Sequence, residues 1–164
     1  MRSFHILDVK KFMSLFLISP DFDFFLFQEF ELETSHRITI SGKRNENWYS
    51  KDELEILEEQ GKKSFLSWED IRETIWEEIR GKKTPEFMRG VFMLPHKDIG
   101  EIVQKAGREP EDVHVLAWNL RYEKNELYLV TAVSMKIFTL DKSLEHTWDD
   151  YVADFLKKKE ICYE

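Results

Sequence analysis

A chain of 164 residues with 42% hydrophobic, 14% aromatic and 34% charged side chains can build a packed core, which excludes a disordered segment. Its 32 acidic and 24 basic residues give a formal net charge of −8, which opposes binding to nucleic acid or anionic membranes. The single cysteine, Cys162, excludes an intramolecular disulfide and a multi-cysteine metal site, and favours a reducing compartment, read here as the cytoplasm.

Taken in order, Ile6, Val9, Phe12, Met13, Phe16 and Leu17 recur at helical spacing, with Asp8 as the cap and Pro20 as the stop. Asp8 interrupts the front of this stretch and Ser19-Pro20-Asp21 follows it, so it does not read as a secretory signal. Nothing in the chain approaches the roughly 18–20 apolar residues of a membrane span. Asp21 to Glu33 reads as a strand with Phe22, Phe24, Leu26, Phe30 and Leu32 on one face. Phe25 and Phe27 make its first half apolar on the other face as well. Such a strand is either central or exposed at a partner interface. Burial is the expected outcome, and Phe25 and Phe27 are the candidate residues for self-association.

His36 to Ser41 follows as a second strand, with Ile38 and Ile40 inward and Gly42 at its end. Ser50 with Glu53 and Ser67 with Asp70 form two capping boxes, each opening a helix. The first is short, with Leu54 and Leu57. The second carries Trp68, Ile71, Ile75 and Ile79 at a 3.6-residue period, widened by Trp76 and stopped by Gly81. Glu86 to Leu94 returns to strand, and Ile99, Ile102, Val103 and Ala106 suggest a helix closed by Gly107.

From Val113 to Phe138 the alternation predicts a long hairpin. A turn at Lys124-Asn125 sets Tyr122 against Leu127, Leu120 against Leu129, Trp118 against Thr131 and Leu116 against Val133. That face is large and apolar. The other face sets Arg121 against Tyr128, Asn119 against Val130, Ala117 against Ala132 and Val115 against Ser134. Thr147 with Asp150 marks a last helix bearing Trp148, Tyr151, Val152, Phe155 and Leu156, and Ile161 to Tyr163 suggest a short final strand. The order α-β-β-α-α-β-α-β-β-α, dominated by hairpins, predicts an α+β domain. It is one unit over residues 1–164, a mainly antiparallel sheet of about five strands with helices packed on it.

No phosphate-binding, zinc-protease or nucleophile-elbow motif occurs, so no catalytic residue, metal ligand or cofactor is assigned. The five histidines lie on different elements. His114, placed opposite Met135 by the hairpin register, reads as a core or rim residue, and His146 as part of a cap region. Asp52, Glu53, Glu55, Glu58 and Glu59 read as a solvated helix face. The basic clusters at 42–44, 80–83 and 157–159 read as loops and a helix carboxyl end.

One polar constellation stands out on the second hairpin face. Ala117, Ala132 and Ser134 are small enough to floor a cleft. Asn119 and Tyr128 offer hydrogen bonds, and Arg121 and Lys136 offer positive charge. Asn119, Arg121, Tyr128, Ser134 and Lys136 are therefore the candidate site for a small anionic ligand or a partner's carboxylates. A non-enzymatic binding or protein-interaction domain is the leading expectation, and an anionic-ligand domain or enzyme using this face is the alternative. The strings HILDVKKFMS, RGKKTPEFMRGVF and LRYEKNELYLVTAVSMKIFTLDKSLEHTWDDYVADFLKKKEI resemble a family of uncharacterised proteins from anaerobic Gram-positive bacteria. That resemblance implies a bacterial cytoplasmic domain and assigns no catalytic residues.

Overall fold

The hairpin forms in the predicted register and becomes the centre of a six-stranded antiparallel sheet. The computed structural model describes residues 1–164. Its strands are β1 (Ser3–His5), β2 (Leu26–Glu33), β3 (Arg37–Ser41), β4 (Phe87–Met93), β5 (Val113–Glu123) and β6 (Glu126–Met135). They lie in the order β1-β6-β5-β4-β2-β3. Five helices accompany them: α1 (Val9–Leu17), α2 (Lys51–Glu59), α3 (Trp68–Ile79), α4 (Gly100–Lys105) and α5 (Ser143–Lys158). The fold is α+β, as the pattern of elements implied.

At the hairpin tip Lys124 and Asn125 take φ of 54° and 64°, the left-handed geometry that matches a two-residue turn to the twist of the strands. The Tyr122 hydroxyl donates to Asn125 Oδ1 at 3.1 Å and braces it. Asp8 caps α1 by accepting from the Lys11 N–H at 3.0 Å. Both capping boxes hold: the Ser50 N–H donates to Glu53 at 2.7 Å and the Ser67 N–H to Asp70 at 2.9 Å.

One face of the sheet carries the core. Leu116, Trp118, Leu120 and Tyr122 of β5 join Phe27, Phe30, Phe92 and Leu129 from neighbouring strands, and α1, α3 and α5 supply Phe16, Trp68 and Trp148. Phe92 stacks on Trp118 with centroids 4.4 Å apart, and Phe16 on Trp68 at 4.3 Å. The two fully buried helix indoles donate to carbonyls at 2.7 Å, Trp68 to Phe16 and Trp148 to Ala117. A large aromatic core is thus closed without stranding its donors.

Several expectations are corrected. β1 was not expected; it pairs with β6, and Ile6, assigned to the first helix, instead bridges Tyr163. Residues 20–22 form a 3-10 turn, and β2 begins only at Leu26. A bulge between Phe27 and Glu29 shifts the phase of β2, so Phe27 joins Phe30 and Leu32 on the core face rather than opposing them. Gly42 permits this close passage, since a Cβ there would lie 1.8 Å from the Phe27 carbonyl oxygen. Phe25 and Phe27 are 1% and 0% exposed, packed against Trp118 and Trp68, so neither offers the partner surface for which it was a candidate. Ile38 and Ile40 are half-buried on the edge strand β3. β6 ends at Met135 because the opposing chain turns away through a 3-10 turn at residues 110–112. A second bulge at Val113/Val115 gives Met135 to Val113 and leaves His114 exposed, not in the core. α5 starts at Ser143, a turn before the expected Thr147, whose hydroxyl instead donates back to the Ser143 carbonyl at 2.8 Å.

Candidate functional site

The five polar residues expected to form one site do not converge. Asn119, Arg121 and Tyr128 share the sheet face that no helix covers. Lys136 lies eight residues beyond Tyr128, roughly 27 Å along an extended chain, too far to share a small ligand. Each has local business. The Asn119 side-chain amide donates to the Val130 carbonyl at 3.4 Å. Arg121 pairs with Glu123 at 2.8 Å, and Tyr128 stacks on His5 at 4.7 Å. Around them Arg89 pairs with Glu29 and Glu31 at 3.3 and 3.4 Å. This face is a lattice of exposed, mutually neutralised charges, and its one apolar patch, Leu26, Met93 and Ala117, is roofed at the edge by Phe65.

Ser134 and Lys136 instead line a hollow of about 400 Å³ beside the segment that joins β6 to α5, together with Arg108, Phe138 and Leu144. That segment is the most unusual surface of the molecule. Ile137, Phe138 and Leu140 are 48%, 90% and 82% exposed. The segment is nevertheless tied down at its entry and along its polar side chains. The Lys136 N–H donates to the Asp112 carbonyl at 2.8 Å. Arg108 donates to Thr139 Oγ1 at 2.9 Å and to Asp141 at 3.0 Å. Asp141 accepts from the Ser143 hydroxyl at 2.6 Å and its N–H at 3.0 Å, and these bonds, with Arg108, hold its carboxyl below the usual carboxylate range.

Elsewhere the chemistry is sparse. His5 lies between Glu126 at 2.5 Å and Glu164 at 3.1 Å, and hydrogen bonds to Glu164 and then Glu126 raise its imidazole above the ordinary range. Thr131, fully buried, hydrogen-bonds the buried Asp149 of α5 and accepts from the Arg2 N–H at 2.8 Å. No group of three or more His, Cys, Asp or Glu is arranged to hold a metal ion. No helix is long and apolar enough to cross a membrane. A second hollow, about 350 Å³, opens between α1 and α3, and there the 80–83 basic cluster forms part of a wall rather than a purely solvated loop.

Sequence reasoning missed the 137–140 surface because Ile137 and Phe138 continue the apolar pattern of β6 and read as strand. The available signal was Asp141-Lys142-Ser143 immediately after it, a turn and helix start that leaves these side chains no partner strand.

The chain belongs to the family of unknown function DUF5721, which it matches over residues 15–164. No curated protein and no solved structure matches it.

Proposed function

We propose that this domain is a protein-interaction module of the bacterial cytoplasm that holds its partner with the loop Ile137–Leu140. The observation that carries this reading is the high exposure of Ile137, Phe138 and Leu140 in a segment whose neighbours Thr139 and Asp141 are tied by their side chains to Arg108. Single exposed apolar residues such as Trp48 are ordinary. Three within four positions, beside side chains already tied to Arg108, offer buried area to a partner with part of the loop's ordering in place. Charges of both signs flank the loop, Arg108 and Lys142 paired with Asp141 and Glu145, so no basic field draws it to an anionic membrane and a protein with an apolar pocket is the better fit. An exposed, unpaired Cys162 suits a reducing compartment. The resemblance of its strings to proteins of anaerobic Gram-positive bacteria points to the same host.

The test compares the wild type with the double variant Phe138→Ser/Leu140→Ser. Both should melt alike, because neither side chain feeds the core. Sedimentation of the purified chain separates a second copy from a foreign partner. In either case the double variant should lose the complex, since truncating one central aromatic anchor commonly costs about 2 kcal/mol or more of binding. A complex of unchanged affinity in the double variant sinks the reading.

A further inference from the structure

We propose that the cleft between α1 and α3 binds a linear fatty-acyl carboxylate. Its volume, about 350 Å³, lies at the lower end of the roughly 300–1,000 Å³ of small-molecule sites. One wall is the stripe Val9, Met13 and Leu17, successive i, i+4 positions of α1. Trp76 and Ile79 of α3 face it. Met88 of β4 and Tyr122 of β5 also line it.

The cationic side of the cleft has a different character. Lys10 stands on α1, and Arg80, Lys82 and Lys83 come from the turn that follows α3. Gly81, at φ 71°, reverses the chain there, with open space around the position a Cβ would take. Of the sixteen residues lining the cleft four are cationic and none is Asp or Glu. In a chain with more carboxylates than cations, that local excess makes this a place where an anion is favoured. Arg80 pairs with exposed Glu77 at 3.3 Å and Lys82 with half-buried Glu78 at 3.8 Å, contacts in which both cations stay open to water, and Lys10 and Lys83 form no ion pair.

An apolar trough with a cationic rim matches a ligand with an apolar tail and an anionic head. The trough favours a chain over a ring. It follows α1 from Val9 to Leu17, about 12 Å at a rise of roughly 1.5 Å per residue. Met13 and Met88 line it with flexible unbranched side chains that repack around a methylene chain. The anionic ligand expected on the hairpin's polar face thus fits here, on the opposite side of the sheet, where Tyr122 rather than Arg121 belongs to the site.

Isothermal titration of the full chain with straight-chain carboxylates below their micellar concentrations tests this, with dodecylamine and dodecanol as head-group controls. Affinity should rise about fourfold per added methylene until the cleft is filled, and dodecylamine should fail to bind. Lys82→Glu/Lys83→Glu should weaken dodecanoate about tenfold or more. Ser14→Trp, at an exposed position on the lip, should block it without unfolding α1. An ω-brominated dodecanoate should quench the share of fluorescence that disappears in Trp76→Phe. Three results overturn the proposal: no binding of any chain length, equal binding of dodecylamine, or wild-type affinity in both the lysine and the Ser14→Trp variants.

Discussion

Trp118 and Arg121 stand three residues apart on β5, in the same hydrogen-bonded ladder, yet on opposite faces of the sheet with opposite fates. Trp118 is 2% exposed and lies among Phe22, Phe25 and Phe92. The Arg121 side chain is 63% exposed and touches only Glu123 among charged groups. The backbone is equally satisfied on both sides, so side-chain volume and polarity alone decide which face recruits helices. Even the gap is functional on the covered side: at Gly90 a Cβ would lie 2.5 Å from the ring of Phe92 on the same strand and 3.0 Å from that of Phe30 on β2, so the position stays empty for these two aromatics.

The largest effect that contrast implies is at Trp118. Trp118→Ala should cost about 3–5 kcal/mol, the loss of a buried aromatic plus the cavity it leaves. Urea unfolding followed by circular dichroism measures it. A cost below about 1 kcal/mol would mean that the face can collapse around the gap, and the rigid aromatic layer inferred here would not exist.

A smaller effect tests the one polar pair that enters the covered face. Thr131 of β6 shares that face with Leu129, and its hydroxyl serves Asp149 of α5. Thr131→Val keeps the shape and removes the donor, leaving a buried carboxylate underpaired. The expected cost is about 1–3 kcal/mol, read from the same unfolding curves. A neutral result would show that water reaches Asp149, and that α5 sits less tightly on the sheet than its core residues imply.

What the sequence revealed of this contrast followed the reach of each signal. Strict alternation from Leu116 to Val133 determined the register of β5 and β6, because a slip of one residue would turn Trp118 and Leu120 outward. The capping boxes at Ser50 and Ser67 were legible because both partners lie within four residues. β1 was not, since three residues carry no periodicity and their pairing depends on β6, more than 120 residues away. The bulge at Phe27/Glu29 was invisible for a related reason, being set by the crossing of Gly42 and Leu66 against β2. Of the candidate sites, the polar hairpin face was legible as a set of shared orientations but not as a scatter along the strand. The cationic side of the cleft needs Lys10 beside residues 80–83, and nothing local announces that meeting.

On the open side, a pH-dependent contribution should come from His5. Both ring nitrogens face carboxylates, Glu126 and Glu164, and the folded-state pKa is raised above its ordinary value, first by Glu164. A raised folded pKa means that the protonated form is the better-held one. Its stabilisation is fully present below the unfolded pKa of about 6.5, while the carboxylates stay ionised, and is lost as pH rises through the folded value. The melting-temperature gap between wild type and His5→Gln should therefore be wider near about pH 5.5 than near about pH 9. A gap that is constant or widens upward with pH would show that the two carboxylates do not hold the imidazolium.

The smallest effect belongs to Arg121, and it is the most informative about the open face. Its hydrogen bond to Glu123 lowers that carboxyl's pKa, but both groups face water, where such pairs are worth little. Arg121→Ala should move the melting temperature by no more than about 2 °C. It should also leave dodecanoate affinity at the wild-type level, because Tyr122, its neighbour on β5, points to the other side. A large loss of stability would mean that the lattice of Arg121, Glu123, Arg89 and Glu31 works as a network. A loss of carboxylate binding without loss of stability would return the anion to the uncovered face, and would empty the α1/α3 cleft of the role inferred for it.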